Sequence, residues 1–324
     1  MAFTVFATAP SLASAGIRRL EASGARVLFL GKNAQDAAEV ERIMASEPID
    51  AVISRTVDLS ARAIDSCSTL KVVSKHGVGV SNIDVAACTR RGIPVYVTPG
   101  ANAQSVAELA VGLLLAAARK VTWMDSELRH GRWSRAQDGL EMRGRTIGLI
   151  GFGQIGRKVA TICRAIGMNA IAFDPGIPGP GPIDGVPIVG TLAELLTASD
   201  VISLHVPLTP KTREMIGAAQ LAMLPKSAIV INTARGEVID ENALVEALRS
   251  GQLFAAGLDT PTAEPLPADS PLLGVSNIVI TPHVGGSTPA ALSEMARGAA
   301  ENVLGFLEGH PADKSACVNP QVLS

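Results

Sequence analysis

Residues Arg145 to Asp174 constrain the fold more than any other part of this chain. Thr146–Ile150 is an apolar, β-branched run with the length of a buried strand. The chain then turns through Gly151-Phe152-Gly153-Gln154-Ile155-Gly156, and a helical stripe follows at Ile155, Val159, Ile162 and Ile166. A second short apolar strand, Ala170–Phe173, ends on Asp174, 18 residues after Gly156. Each glycine has a physical job. Gly151 permits the tight turn, Gly153 lets the backbone approach a pyrophosphate, and Gly156 lets the helix lie close on the strand. The phosphates would sit at the helix N-terminus, where unpaired N–H groups and the helix dipole favour anions. Asp174 stands near the spacing, roughly 20 residues, at which a carboxylate meets a ribose. A glycine-rich turn alone says little. Strand, helix, second strand and terminal Asp together point to dinucleotide binding, with Gly151 to Gly156 and Asp174 as the cofactor-facing residues.

A chain of 324 residues suggests two domains, and 47% hydrophobic content is ample for two cores. The net charge is −2 and no basic block occurs, which argues against nucleic acid or an anionic membrane surface as partner. MAFTVFATAP lacks the basic start and long apolar core of a signal peptide, and Leu109–Ala118 is too short to span a bilayer. Cys67, Cys88, Cys163 and Cys317 show no CxxC spacing, so they read as free core thiols of a cytoplasmic protein, with no metal site and no disulfide framework.

Before the glycine turn, strands alternate with helices: Phe3–Thr8, helix 11–23, Arg26–Leu30, helix 34–45, Ala51–Ser54, Val72–Ser74, helix 83–91 and Pro94–Val97. This alternation predicts a parallel sheet covered on both faces. Pro99-Gly100 ends the pattern, and one long helix, buried nearly all round, is expected from Gln104 towards Arg129. Gly176–Gly185 is rich in Pro and Gly and is expected to hold no regular structure. Strands Val201–His205, Ala228–Asn232, Phe254–Leu258 and Ile278–Ile280 follow, then a helix over 289–307 and a short polar tail. The expected fold is α/β, with two doubly wound parallel-sheet domains. Because the glycine turn lies mid-chain, the last helix is expected to cross back onto the first domain. The boundaries are then 1–99 with 287–324 for a substrate domain and 100–286 for the dinucleotide domain, with a cleft between them.

Three ionisable residues stand just beyond predicted strands, at the edge where open α/β sheets bind ligands: Arg235, Glu264 in the loop after Phe254–Leu258, and His283. A guanidinium grips a carboxylate with two parallel hydrogen bonds, and a carboxylate–imidazole pair makes a usable proton donor. Taken singly, Arg235 could cap a strand end, Glu264 could be solvated and His283 could bond backbone carbonyls. Their joint placement beside a dinucleotide fold favours a catalytic set.

The chain resembles the D-isomer-specific 2-hydroxyacid dehydrogenase family over nearly its whole length, most closely its phosphoglycerate dehydrogenase-type members. The carrying stretches are HGVGVSNID (76–84), NAQSVAEL (102–109), GLIGFGQIG (148–156), HVPLTPKT (205–212), NTARGEVID (232–240), GLDTPTAEP (257–265) and TPHVGG (281–286). The resemblance implies NAD as cofactor, Arg235 on the substrate carboxylate and carbonyl, His283 as acid–base residue and Glu264 as its partner. It implies backbone N–H groups at Val78 and Gly79 for the same carboxylate, and Asp259 facing the nicotinamide carboxamide. Val106, His205, Pro207, Thr212, Thr233, Ala234 and Gly285 are expected beside the cofactor, with His76 and His205 as lining and not catalysts. A homodimer through the helical arm of the nucleotide domain is implied too. Ser81 and Thr260-Pro261 depart from the family's usual residues and bear on the substrate pocket.

The expected reaction is hydride exchange between nicotinamide and C2 of a 2-hydroxy or 2-oxo acid. Arg55 and Lys75 match positions where phosphoglycerate dehydrogenases place cations near a substrate phosphate, and Arg135 is a third candidate; the unphosphorylated alternatives are glyoxylate and hydroxypyruvate. The chain ends soon after its last helix, so no C-terminal regulatory domain is expected. Formate dehydrogenase, which shares the fold, is a second enzyme reading; that family uses an amide side chain opposite the histidine, and Glu264 argues against it. A corepressor-like dinucleotide sensor is the alternative of another class, and no charged extension suited to it is present.

Overall fold

A computed structural model of the chain describes residues 3–31, 36–135, 138–177, 181–310 and 313–323. It divides into two compact units, Met1–Asn102 with Ser287–Ser324, and Ala103–Gly286. In the first, strands β1 (Thr4–Ala7), β2 (Arg26–Phe29), β3 (Ala51–Ser54), β4 (Val72–Lys75) and β5 (Val95–Tyr96) alternate with helices α1 (Ser14–Ala22), α2 (Ala37–Ser46), α3 (Ala61–Ser66) and α4 (Val85–Arg90). All pairings are parallel, in the order β2-β1-β3-β4-β5. Successive residues point to opposite faces of the sheet, and apolar residues on both faces are covered. Phe6, Val52, Val73 and Val95 pack under α2, α3 and α4, while Val5, Ala7, Ala51, Ile53 and Val72 face the other way. The start expected for α2 at Ala34 lies outside the described residues.

The second unit begins with α5 (Ala103–Ala118) and α6 (Val121–Arg129). One continuous helix was expected here; the chain instead breaks at Lys120, whose φ of 51° is left-handed. Lys120 is held there by Asp138 and lies 5.5 Å from the centre of the Phe254 ring. The apolar pattern runs on through the break, but its burial does not. No residue of α6 is buried, and Val121, Trp123 and Leu128 are exposed.

Strands β6 (Thr146–Ile150), β7 (Asn169–Phe173), β8 (Val201–Leu204), β9 (Ile229–Asn232), β10 (Ala255–Leu258) and β11 (Ile278–Ile280) follow, with helices α7 (Gln154–Ala165), α8 (Leu192–Thr197), α9 (Ala218–Ala222) and α10 (Glu241–Arg249). They form one parallel sheet in the order β11-β10-β9-β8-β6-β7. Ile147, Leu149, Val201, Ile229 and Ile231 pack against α5 and α7, whereas Ile150, Ile202, Leu204, Val230 and Leu258 pack against α8, α9 and α10. Burying a side chain of this size contributes about 1.5–3 kcal/mol, so each covering helix adds substantially to stability.

Helix α11 (Pro289–Leu307) belongs to the first unit, capped by the Thr288 hydroxyl, which accepts from Ala291 N–H at 3.2 Å. Its stripe of Ala296, Ala299, Ala300, Val303 and Leu304 lies on the sheet and on α1. The helices approach so closely that a Cβ on Gly16 would stand 2.7 Å from the Ala296 carbonyl oxygen. The tail is not merely polar, as was expected. Residues 316–318 pair antiparallel to β5, and buried Asn319 accepts from Val95 N–H at 2.8 Å and donates to the Ile93 carbonyl at 2.9 Å.

Candidate active site

The chain leaves β6 and moves first to β7 on one side, then to β8 on the other, so the sheet order reverses at β6. Ligands of open α/β sheets bind outside the carboxyl ends of the strands at such a switch point. The glycine turn stands there. Gly151 has φ 92°, and a Cβ on it would lie 2.6 Å from the His205 carbonyl oxygen. A Cβ on Gly156 would lie 2.4 Å from the Gly151 carbonyl oxygen, which fixes how tightly α7 packs on the turn. By contrast, a Cβ on Gly153 would project into open space. Helix α7 starts at Gln154 without a side-chain cap, so its first N–H groups are free for an anion. Phe152, Gly153, Gln154, Arg157, Asp174, Gly176 and Ile177 line a depression of about 490 Å³.

Asp174 accepts from Phe152 N–H and from Gly176 N–H, both at 2.9 Å, which aims its remaining lone pairs at that depression. The neighbouring strand ends carry polar atoms with no protein partner among the described residues: His205 Nδ1, Thr233 Oγ1 and Thr260 Oγ1. Buried polar groups cost stability unless they are bonded, so these are positions that a bound ligand would satisfy. The residues therefore fit a dinucleotide. Burial pushes the His205 imidazole down to about 3, leaving it neutral, and its Nε2 meets Ser203 Oγ at 2.9 Å. Thr212 turns its hydroxyl onto the Pro207 carbonyl at 2.6 Å and so stiffens the loop after β8. Val106 lies under Gly285, where an added Cβ would stand 3.4 Å from its Cγ2.

On the same edge, Nδ1 of His283 lies 2.8 Å and 3.0 Å from the two carboxylate oxygens of Glu264. His283 holds a left-handed φ of 53°, a conformation that costs a non-glycine residue energy and that needs support from its surroundings. Asp259 supplies it. Its carbonyl accepts from His283 N–H at 2.8 Å, and its carboxylate accepts from Thr281 Oγ1 at 2.6 Å, Val284 N–H at 2.9 Å and Gly285 N–H at 2.8 Å. With three donors on it and 1% exposure, the Asp259 carboxylate is committed largely to this loop. Asn232 does the same for Arg235, accepting from Ala234 N–H at 2.9 Å and donating to the Arg235 carbonyl at 2.8 Å. The Arg235 guanidinium donates to the Ala234 carbonyl at 2.6 Å and meets no carboxylate among the described residues. A Cβ on Gly236 would lie 2.4 Å from Thr262 N, so the Arg235 loop and the loop carrying Glu264 pack in direct contact.

In the first unit, Arg55, Lys75, Val78 and Gly79 lie at the carboxyl ends of β3 and β4. Lys75 is turned inward: its amine donates to the Arg55 carbonyl and to Asn82 Oδ1. Asn82 in turn donates to Ser54 Oγ at 3.1 Å and to the Val57 carbonyl at 2.8 Å. The Arg55 guanidinium is partly buried with no acidic partner among the described residues, and burial lowers its pKa. His76 is pushed down to about 4, first by burial and then by the charge of Arg55. Arg135 is exposed. Among the described residues no group of His, Cys, Asp and Glu could hold a metal ion, and no helix is long and apolar enough to cross a membrane.

Arg157, in the wall of the depression beside Asp174, is a site residue that sequence reasoning missed. Its position directly after Gly156 was the available signal.

A parallel sheet with a glycine turn at its switch point and an imidazole–carboxylate pair on the same edge defines a dinucleotide-binding α/β protein. Residues 111–285 match the model of the D-isomer specific 2-hydroxyacid dehydrogenase NAD binding domain, and the chain belongs to that family. It is 44% identical over 264 residues to a D-3-phosphoglycerate dehydrogenase of Methanocaldococcus jannaschii, a match covering 81% of this chain but only 50% of that relative. With a hydroxypyruvate reductase of Thermotoga maritima it shares 44% identity over 245 residues, 74% of this chain and 78% of the relative. A crystal structure of an NADPH-dependent glyoxylate/hydroxypyruvate reductase from Sinorhizobium meliloti superimposes with a TM-score of 0.86 at 28% identity, covering 98% of each chain.

Proposed function

We propose that this protein is an NAD-dependent oxidoreductase interconverting a D-2-hydroxy acid and its 2-oxo acid. The carrying observation is the His283–Glu264 pair, set on the same sheet edge as the glycine turn and Arg235. When bound, the reduced nicotinamide supplies a hydride to C2. Glu264 accepts from Nδ1–H of His283, which orients the ring and leaves Nε2 to donate a proton to the carbonyl oxygen. Arg235 grips the substrate carboxylate through its planar fork and polarises the carbonyl, which aligns C2. In the oxidative direction His283 takes the hydroxyl proton back. Asp174 accepts from the adenosine ribose and selects NAD over NADP by repelling a 2′-phosphate.

For the substrate we propose 3-phosphoglycerate and 3-phosphohydroxypyruvate, supported by the unpaired Arg55 guanidinium and by the first relative's name. Hydroxypyruvate or glyoxylate is the second reading. It is favoured by Lys75, whose amine already donates to the Arg55 carbonyl and to Asn82 and so has fewer donors to offer a dianionic phosphate. The deciding measurement is kcat/KM for 3-phosphohydroxypyruvate against hydroxypyruvate in wild type and Arg55→Ala. A wild-type preference for the phosphorylated acid that Arg55→Ala abolishes supports the first reading; no preference, or one that survives, supports the second.

We propose a homodimer as well, supported by the exposed apolar side chains of α6 and by Trp133, 77% exposed on the same unit. The four free, buried cysteines support a cytoplasmic location.

A further inference from the structure

The pocket proposed for the adenosine end of the cofactor contains a cation, and the fold neutralises it. Arg157, in the first turn of α7, lines the same depression as Asp174. Its Nε–H donates to the Phe152 carbonyl at 3.2 Å, and its guanidinium lies 5.3 Å from the centre of the Phe152 ring. Its third contact is an ion pair, with Nη1 2.7 Å from Asp184 Oδ2.

Asp184 is presented to Arg157 by a defined turn. Ile183 and Val186 exchange N–H···O bonds at 3.0 Å and 2.9 Å, and between them Asp184 and Gly185 take φ values of 52° and 72°. Two left-handed residues between paired flanks make a type I′ turn, which favours Asp-Gly and Asn-Gly. Part of the loop expected to be irregular is therefore ordered, although residues 178–180 lie outside the described residues. Arg164, two turns beyond Arg157 on the same face of α7, donates to the Asp184 carbonyl at 2.9 Å. The turn is thus tied to the helix twice, once through its backbone and once through its carboxylate.

Resting on the NAD reading above, we infer that Asp184 is a second cofactor-specificity residue, acting by engaging Arg157. NADP differs from NAD by a phosphate on the adenosine 2′ oxygen, beside the position proposed for the Asp174 contact. A free guanidinium on that wall would attract the phosphate. Paired with Asp184, Arg157 offers no net charge and fewer free donors, so the carboxylate of Asp174 sets the sign of the local field. The pair is half exposed, at 41% and 62%, so it adds little to stability and its consequence is selectivity. If Asp184 loses its charge, the Phe152 carbonyl and ring still hold Arg157 at the pocket.

The test is the ratio of the dissociation constants of NADPH and NADH, read from the fluorescence of the bound dinucleotide. The variants are Asp184→Asn, Arg157→Gln and the double substitution. Asparagine keeps the turn because Asn-Gly suits type I′. Asp184→Asn is expected to shift the ratio about tenfold towards NADPH, as one charge-assisted bond at a half-exposed site allows. The double variant is expected to return to the ratio of Arg157→Gln. NADH binding with an unmoved ratio in Asp184→Asn, or a gain that survives in the double variant, overturns the assignment alone. Wild-type protein that binds neither dinucleotide overturns the assignment together with the reading on which it rests.

Discussion

Glu264 holds Nδ1 of His283 at 2.8 Å, which leaves Nε2 as the free edge of the ring. Both side chains are nearly half exposed, at 42% and 45%, so the pair contributes little to stability and the role proposed for it is chemical. Substituting His283→Gln is expected to lower the reductive kcat by about 10²–10⁴-fold, the usual worth of a positioned general acid. Glu264→Gln keeps the shape and removes the charge, and is expected to cost less, on the order of tenfold to a hundredfold in kcat. Single-turnover rates with saturating NADH check both. Wild-type turnover in His283→Gln would remove it from the mechanism.

Arg235 is held by its backbone through Asn232, while its guanidinium stays clear of carboxylates among the described residues. Lysine would keep the charge but lose the planar fork, so Arg235→Lys is expected to lower kcat/KM for a 2-oxo acid by about 10²-fold or more. NADH affinity, measured by fluorescence titration, should change little. A variant with near wild-type kcat/KM would mean that another residue anchors the carboxylate.

The buried imidazoles make stability depend on pH. His205 and His76 ionise near 3 and 4 in the folded chain, chiefly because of burial, against about 6.5 when unfolded. Between those limits the unfolded chain binds more protons, so stability is complete above about pH 6.5 and is lost as the pH falls, by up to about 1.4 kcal/mol per unit for each residue. Urea midpoints at pH 7 and pH 5 should therefore fall further in wild type than in His205→Gln or His76→Gln. Equal losses in all three proteins would show that neither histidine is protonated on unfolding.

The dinucleotide unit was legible because its signals are local. Strand length, glycine spacing and the helical stripe from Ile155 to Ile166 all lie within Arg145–Asp174, and each reports a backbone requirement that the sequence must satisfy. Among the described residues, and the break at Lys120 apart, element ends moved by no more than a helical turn. The break at Lys120 was not legible, since the apolar pattern continues across it, and what holds the left-handed residue is contact with Asp138 and Phe254, remote in sequence. Long-range contacts also decided the fate of Lys75, whose amine is taken up by the Arg55 carbonyl and Asn82. Arg157 was missed because its partner, Asp184, lies 27 positions away in a loop. The left-handed φ of His283 depends on a network centred on Asp259 that no local pattern announces.

Hydride transfer to a 2-oxo acid is tested most directly by following NADH absorbance as purified protein is mixed with glyoxylate, hydroxypyruvate and 3-phosphohydroxypyruvate in turn. At least one of the three should oxidise NADH in proportion to the acid added, yield the D-hydroxy acid, and lose at least about 10²-fold in rate when His283 is replaced by glutamine. NADH that binds yet is oxidised by none of them would contradict the proposed reaction.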